Sequence, residues 1–232
     1  MKKALLVLVT ILAVVGAFAL WSARQPRRTP SGQAPLESLS PADFSDFRNA
    51  FNGSRSSVRM VLLFSPTCPV CLQGAAATES LLERIHDPKL EILVVWEPIL
   101  PTDWQRPTSA VLQRLHNPAV VQFWDHNHLV AQAISRELIS DPTGPKPHCC
   151  GLHRNLWDFA ALYPKGSLWQ SAPPKAAFAD GTVADVQQRL GSNLARLLSS
   201  WESSPQDSAQ TAVPDGTVLR SAMAVFAERG LR

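Results

Sequence analysis

Residues 58–71 decide the fold, and their sequence is Val-Arg-Met-Val-Leu-Leu-Phe-Ser-Pro-Thr-Cys-Pro-Val-Cys. The first eight residues are nearly all apolar, which predicts a β-strand that is covered on both faces. A turn follows, and a helical pattern runs from Cys68 to His86, where Asp87-Pro88 ends it. A second buried strand is predicted over Leu90–Trp96. This β-α-β order indicates two parallel strands joined by a crossover helix.

Two cysteines, Cys68 and Cys71, lie at the start of the predicted helix, and this position predicts redox reactivity. Cys68 lies where unpaired backbone N–H groups and the helix dipole favour a thiolate, which is the nucleophilic form of the side chain. Cys71 follows one turn later, close enough to attack a mixed disulfide formed at Cys68. Pro69 suits the first turn because its missing N–H costs nothing there. The pattern predicts a redox-active pair, and the alternatives are an inert structural disulfide or a zinc site.

The composition of the chain excludes several classes of function. The 232 residues carry a net charge of +3, with neither a basic stripe for nucleic acid nor an acidic tail. A hydrophobic fraction of 45% is enough for one good core. We therefore expect one globular domain that does not bind nucleic acid.

The first segment has the pattern of an export signal. Two lysines precede an uncharged run over residues 4–21, and Ala17-Phe18-Ala19 offers a small-residue cleavage site. The run also approaches the ~20 residues that span a bilayer, so residues 1–23 are predicted to be either a cleaved signal peptide or a membrane anchor. Both alternatives place the rest of the chain outside the cytoplasm, periplasmic or secreted, where disulfides persist. An uncleaved segment would make the membrane a partner.

The segments around the central β-α-β unit divide the chain. Pro, Ser, Gln and Arg dominate the stretch after the export signal, which predicts a linker. Ser40-Pro41-Ala42-Asp43 then has the pattern of a helix start, and this helix is predicted to end near Phe51. The predicted bounds are a linker over 24–39, the main domain over 40–201 with an insertion at about 98–155, and a linker with a short C-terminal helix over 202–232.

Residues 40–97 resemble the thioredoxin-like superfamily, and Cys-Pro-Val-Cys is most similar to the Cys-Pro-x-Cys of glutaredoxins and some periplasmic oxidoreductases. The resemblance implies an α/β fold with a central mixed sheet flanked by helices and an insertion after the second core strand. It implies that Cys68 is the attacking thiol and Cys71 the resolving thiol, with no cofactor. The implied substrate is a disulfide-containing protein or a small thiol, and the redox partner is not indicated.

Three departures from the family pattern bear on the substrate groove. Thr67 stands where thioredoxins usually have tryptophan, and Leu62 stands where they keep a buried acid for proton handling. The cis-proline of the family has two candidates, depending on which strand follows it. Pro147 fits if that strand is Leu156–Tyr163, which is the longer and more aromatic run, and Pro173 fits if it is Ala176–Ala179. The candidate groove residues are Thr67, Pro69, Pro147 and Pro173.

A second cysteine pair lies in the sequence His148-Cys149-Cys150-Gly151-Leu152-His153. Neighbouring Cα atoms are ~3.8 Å apart, whereas a relaxed disulfide needs ~4.4 to 6.8 Å, so a bond between Cys149 and Cys150 would be strained. Three alternatives stay open. The pair exchanges electrons with Cys68 and Cys71, or it binds a soft metal ion such as copper, zinc or mercury with His148 or His153, or each cysteine staples the insertion elsewhere.

These observations define three hypotheses. The first is an extracytoplasmic thiol–disulfide oxidoreductase that acts through Cys68 and Cys71. The second is a soft-metal binding or delivery protein that uses Cys68, Cys71, Cys149 and Cys150 with the nearby histidines. The third is a non-catalytic docking module, which is motivated by the apolar Leu62, by Thr67 and by the large insertion after the second core strand.

Overall fold

Strands and helices alternate along the chain in the computed structural model, which describes residues 2–141, 143–152 and 155–200. The strands are β1 (Glu37–Ser38), β2 (Val58–Phe64), β3 (Leu90–Trp96), β4 (Val120–Trp124), β5 (Gly151–Leu152), β6 (Asn155–Leu156), β7 (Phe159–Tyr163) and β8 (Phe178–Gly181). The helices are α1 (Lys2–Arg24), α2 (Ser45–Gly53), α3 (Pro69–Leu82), α4 (Ser109–Leu112), α5 (Leu129–Ser140) and α6 (Val183–Ser199).

A mixed sheet with the order β1-β4-β3-β2-β7-β8 carries the domain. β1, β4, β3 and β2 run parallel, whereas β7 and β8 run antiparallel to their neighbours. β2 is central and pairs in register with β3 from Val58↔Leu90 to Phe64↔Trp96. All seven residues of β2 are buried, as its apolar sequence predicts. The predicted parallel pair with a crossover helix is confirmed.

The two faces of the sheet bury separate apolar cores. Along β2, Met60, Leu62 and Phe64 face the core that α3 and α6 cover. The intervening residues Val61 and Leu63 face the second core, which α2 and α5 cover. This alternation follows from the period of two along a strand.

The arrangement is thioredoxin-like: a parallel β-α-β unit joined to an antiparallel pair and closed by a last helix, with helices on both faces of the mixed sheet. The segment predicted as an insertion, 98–155, contributes to this body. It holds β4, which extends the parallel sheet beside β3, and α5, which packs with its buried face on the second core.

Two predicted boundaries are wrong. The linker assigned to 24–39 enters the domain, because Leu36 and Leu39 are each only 7% exposed and β1 pairs with β4. The polar composition of that stretch hid its two buried leucines. The helix predicted to begin at Ser40 begins instead at Ser45, because Ser40 and Asp43 close a turn in which the Asp43 N–H donates to Ser40 O at 3.3 Å.

The N-terminal segment of the chain forms helix α1. α1 coincides with the segment predicted as signal peptide or anchor, 1–23. Within the described residues, no helix combines the length and the hydropathy needed to cross a membrane. The linker and C-terminal helix predicted over 202–232 lie outside the described residues.

Candidate functional site

Cys68 lies where β2 gives way to α3. It is the N-cap residue of α3, with φ −74° and ψ 120°, and Pro69 occupies the first turn of the helix as the sequence predicts. Cys68 is 8% exposed and carries a free thiol. Its neighbours Thr67 and Pro69 are exposed, and Val70 is 42% exposed. Cys68 is therefore a nearly buried residue in a turn whose neighbouring residues are exposed.

Cys71 is the inner member of the pair. It lies in the first turn of α3, is completely buried and is also a free thiol. Burial raises the pKa of the Cys71 thiol, a hydrogen bond from the Ser65 backbone opposes this shift, and the charges of Cys68 and Asp158 add to it. Burial therefore favours the protonated form of Cys71.

The turn before Cys68 is held by Asp103, which is 1% exposed. This carboxylate comes from the loop after β3 and accepts hydrogen bonds from both sides of the site. The sequence analysis did not identify it, because nothing in the spacing of a loop aspartate reveals its partners. Its donors are the Ser65 hydroxyl at 2.6 Å, the Thr67 N–H at 3.0 Å, the Thr67 hydroxyl at 2.7 Å, the Ile99 N–H at 2.9 Å and the Leu100 N–H at 2.8 Å.

Asp158 supplies a buried acid beneath the helix that carries the cysteines. It is 0% exposed, its Oδ1 accepts from the Val183 N–H at 3.4 Å, and its Oδ2 has no hydrogen-bond partner among the described residues. Burial raises the pKa of Asp158 to about 6, the Val183 hydrogen bond opposes this, and the charge of Asp185 adds to it. A Cβ placed on Gly74 would lie 2.5 Å from Asp158 Oδ1, so the carboxylate touches α3 one turn after Cys71.

The buried acid therefore lies directly before β7, whereas the family resemblance implies an acid on β2 at the position of Leu62. Leu62 is a fully buried core residue, and its apolar side chain cannot exchange a proton. On the neighbouring strand, Leu62 pairs with Ala160, which faces the same core. Asp158 lies directly before β7, and its contact with the Cβ position of Gly74 places its carboxylate on the α3 side. An acid directly before an apolar strand was the available signal.

A second buried acid lies at the same edge of the sheet. Glu97 follows β3, is 0% exposed, and donates its N–H to Phe64 O at 2.9 Å. Its Oε2 lies 2.8 Å from His128 Nδ1. Burial raises the pKa of Glu97 to about 7, against the hydrogen bond and charge of His128. Glu97 and His128 therefore form a coupled pair behind the turn that leads to Cys68.

Cys149 and Cys150 form a disulfide in the structure, with their Cα atoms 3.7 Å apart. Both residues are half-buried. The adjacent His148 is tied to Asp180 through its backbone N–H and through Nδ1, each at 2.8 Å. In the described part of the chain, no three His, Cys, Asp or Glu side chains cluster as metal ligands, and His153 lies outside it.

Neither candidate proline is a cis-proline, so that prediction is wrong. Within the described residues, the peptide bond recorded as cis is Gly181–Thr182. β7 begins at Phe159, and the residue in front of it is Asp158 rather than a proline. Pro147 lines a cavity of about 430 Å³ beside the Cys149–Cys150 disulfide. Pro173 lines a separate cavity with Phe44 and Arg136, on the side of the sheet that faces α2 and α5.

The sheet order and the Cys-Pro-Val-Cys sequence at the start of α3 define a thioredoxin-like domain with two thiols in unlike surroundings. No family model and no curated protein sequence matches the chain. It is similar to a secreted Mycobacterium tuberculosis disulfide oxidoreductase homologous to E. coli DsbE, with 13% identity and a TM-score of 0.37 over 62% of this chain and 85% of that one. It is also similar to the solution structure of a thioredoxin-like protein in the oxidized form, with 12% identity and a TM-score of 0.43 over 76% of this chain and 97% of that one.

Proposed function

We propose that this protein is an extracytoplasmic thiol–disulfide oxidoreductase in which Cys68 is the attacking thiol and Cys71 the resolving thiol. The observation that carries the proposal is the contrast between the two sulfurs. Cys68 caps α3 beside exposed residues and keeps 8% of its surface exposed, whereas Cys71 is fully buried one turn behind it. A nucleophile must meet its substrate, and a resolving thiol must meet only the mixed disulfide.

The first step breaks the disulfide of the substrate. The Cys68 thiolate attacks one substrate sulfur, a bond forms between Cys68 and that sulfur, and the other substrate sulfur leaves as a thiolate. The positive end of α3 stabilises the attacking thiolate. Thr67, Pro69 and Val70 are exposed around Cys68 and are the residues that a substrate would contact first.

The second step resolves the mixed disulfide. The Cys71 thiol gives its proton to the Asp158 carboxylate and attacks the sulfur of Cys68, which releases the second substrate thiolate. The substrate gains two electrons and the cysteine pair becomes a disulfide. Asp158 suits this transfer because its pKa, raised to about 6, leaves it charged at neutral pH but closer to a thiol in basicity than an ordinary carboxylate.

Placement outside the cytoplasm is supported by the N-terminal sequence, in which two lysines precede the uncharged run over residues 4–21. Fractionation of cells that express the full chain tests it. A protein recovered with the periplasmic or secreted fraction agrees with the proposal, and one recovered only with cytosolic markers contradicts it.

The test of the enzymatic activity is reduction of insulin by dithiothreitol, with the full chain as catalyst. We expect catalysis by the wild type and none above background by Cys68→Ser, because no attacking sulfur remains. In Cys71→Ser, a mixed disulfide with insulin should accumulate. The matched control is Cys149→Ser/Cys150→Ser, which loses two cysteines but keeps the proposed site. Equal rates for wild type and Cys68→Ser would overturn the proposal.

The other two hypotheses have less support. A soft-metal function requires the thiols of Cys149 and Cys150, which are joined in the structure. The docking hypothesis was motivated by the absence of an acid at Leu62, and Asp158, directly before β7, supplies a buried acid beside Cys71. Labelling of Cys68 with a thiol reagent near neutral pH separates a reactive site from a docking module.

A further inference from the structure

The chain holds one dithiol, Cys68 and Cys71, and one disulfide, Cys149–Cys150. We propose that the two are redox partners within one molecule, with the Cys149–Cys150 disulfide accepting two electrons from the Cys68–Cys71 dithiol. The inference deepens the proposed function and rests on it, because Cys68 is the attacking thiol in both. It assigns an internal substrate to the site and a function to the second pair.

The first observation is a short β-ladder that fixes Cys150 in front of β7. Gly151 pairs with Leu156 in the antiparallel β5–β6 hairpin. The Trp157 N–H donates to Cys150 O at 3.0 Å and extends this ladder by one residue. Trp157 packs against the core cluster that includes Cys68 and Cys71. The disulfide is therefore held beside the segment that carries Trp157 and Asp158.

The second observation is that Asp158 lies between the two pairs. On one side, a Cβ placed on Gly181 would contact the main-chain oxygen of Asp158 and would lie 3.3 Å from Cys150 Sγ. On the other side, Asp158 Oδ1 lies 2.5 Å from the Cβ position of Gly74, in the turn of α3 after Cys71. Residues three apart on a helix have Cβ atoms about 5–6 Å apart, which brings Cys71 close to the same carboxylate.

The third observation is that the disulfide is anchored on one side and reachable on the other. His148 is fixed to Asp180 by two hydrogen bonds, so the chain before Cys149 has a firm attachment to β8. Cys149 and Cys150 are themselves only half-buried and line a cavity of about 430 Å³. The disulfide is therefore anchored by its neighbours and accessible from a cavity, and it is not sealed into the core.

The exchange balances without an external oxidant. The Cys68 thiolate attacks Cys150 Sγ, the Cys149–Cys150 bond breaks, and Cys149 leaves as a thiolate. Cys71 then passes its proton to Asp158 and attacks Cys68 Sγ, which breaks the Cys68–Cys150 bond. The departing Cys150 thiolate takes the proton back from Asp158. Two electrons move from the first pair to the second, and the reaction begins and ends with one thiolate.

The decisive experiment traps the intermediate in Cys71→Ser, which cannot resolve it. The purified full-length variant is held at pH 7.5 without reductant, quenched with acid, digested and analysed by mass spectrometry for peptides joined by a disulfide. We expect a peptide pair that links Cys68 to Cys150 or Cys149. The matched control, Cys68→Ser, should contain only the Cys149–Cys150 disulfide. Circular dichroism of both variants establishes that they are folded.

A second measurement uses the unmodified chain. The fully oxidised protein receives two electrons from one equivalent of dithiothreitol, and the free thiols are alkylated after increasing times. We expect both pairs to appear as dithiols in a constant ratio from the earliest time, because internal exchange redistributes the electrons. In Cys149→Ala/Cys150→Ala, which lacks the second pair, all of the electrons should be found on Cys68 and Cys71.

The outcomes separate this inference from the proposed function. Absence of the Cys68 cross-link in Cys71→Ser, together with ratios that drift slowly in the wild type, would overturn the internal exchange while insulin reduction still proceeds through Cys68. Failure of Cys68 to react with insulin as well would overturn both. A cross-link that forms with normal insulin reduction supports both.

Discussion

The backbone N–H of Thr67 donates to Asp103 Oδ1 at 3.0 Å, across 36 residues of sequence. This bond attaches the residue directly before Cys68 to the loop that follows β3. The same carboxylate accepts from the Ser65 and Thr67 hydroxyls, so the turn that presents Cys68 is fixed from outside α3. Asp103 therefore holds the turn in which Cys68 begins α3.

Replacing Asp103 by asparagine should therefore destabilise the domain and slow Cys68. In Asp103→Asn an NH₂ group replaces one of the two carboxylate oxygens that accept hydrogen bonds. The NH₂ group then faces other donors, and a buried unsatisfied donor costs about 1–3 kcal/mol. We expect a loss of about 1–3 kcal/mol in the free energy of unfolding by urea, with a lower rate of insulin reduction in the fraction that stays folded. Asp43→Asn, at an exposed position, should change neither quantity. Equal stability of the two variants would show that Asp103 does not hold the turn.

The difference in exposure between the two thiols predicts selective alkylation. With iodoacetamide at pH 7.5, Cys68 of the reduced protein should be modified at least about tenfold faster than Cys71, which is fully buried and has a raised pKa. In urea the two rates should converge, because unfolding removes the burial. Peptide mass spectrometry after timed quenching measures both rates in one sample. Preferential labelling of Cys71 in the folded protein would contradict the assigned order of attack.

The sequence predicted those parts of the site that depend on local rules. An apolar strand, a turn and a proline in the first helical turn are all encoded within residues 58–71, and the structure has them there. Asp103 and Asp158 depend instead on which loop folds over the turn and on the register of β7 against β2. Neither property can be deduced from spacing along the chain.

The cis-proline was predicted wrongly for the same reason: its position depends on strand pairing and not on local sequence. The sequence contains a proline before each candidate strand, and either one satisfies a pattern-based search. The structure begins β7 at Phe159, two residues after Trp157, so the position in front of the strand belongs to Asp158. Asp158 adopts a φ of 46°, which lies in the left-handed region that short polar side chains tolerate. The pairing of β7 with β2 and β8, rather than the local composition, determines the residue at which β7 begins.

The charge of Asp158 should make the domain less stable at neutral pH than at acidic pH. Its pKa in the folded state is raised from 3.8 to about 6, so the folded form binds a proton more tightly than the unfolded form. The stabilising contribution of that proton is complete below pH ~4 and is lost as the pH rises through ~6. Asp158→Asn removes the penalty and should gain about 2–3 kcal/mol over wild type in urea unfolding at pH 8, from ~1.4 kcal/mol per pKa unit. At pH 4 the two should be equal.

The same substitution should impair catalysis, which distinguishes a proton acceptor from a merely destabilising charge. Resolution of the Cys68 mixed disulfide should accelerate in the wild type as the pH rises through ~6, where Asp158 becomes a carboxylate. Asp158→Asn should lack this inflection and be slower at pH 7.5. Glu83→Gln, an exposed change of the same kind, should keep the wild-type profile. A variant that is both more stable and equally fast at every pH would remove Asp158 from the mechanism.

Gly74 tests the contact between α3 and Asp158 without replacing any residue of the proposed mechanism. Alanine is the better helix former by about 1 kcal/mol, so an exposed Gly→Ala change within a helix stabilises. At this position the new Cβ would lie 2.5 Å from Asp158 Oδ1, 3.0 Å from Phe64 Cε1 and 3.1 Å from Val183 Cβ, and such overpacking costs about 1–3 kcal/mol.

We therefore expect Gly74→Ala to lower the free energy of unfolding, by up to about 2 kcal/mol, despite its higher helix propensity. Gly53→Ala is the matched control, because Gly53 ends α2 and a Cβ there would meet nothing within 4 Å. Since the added methyl group must displace the carboxylate, Gly74→Ala should also slow the resolving step, whereas the control should not. Urea unfolding and mixed-disulfide decay measure the two effects separately. If both variants were stabilised alike, Asp158 would not be in contact with α3. Without that contact, Asp158 could not accept the proton of Cys71.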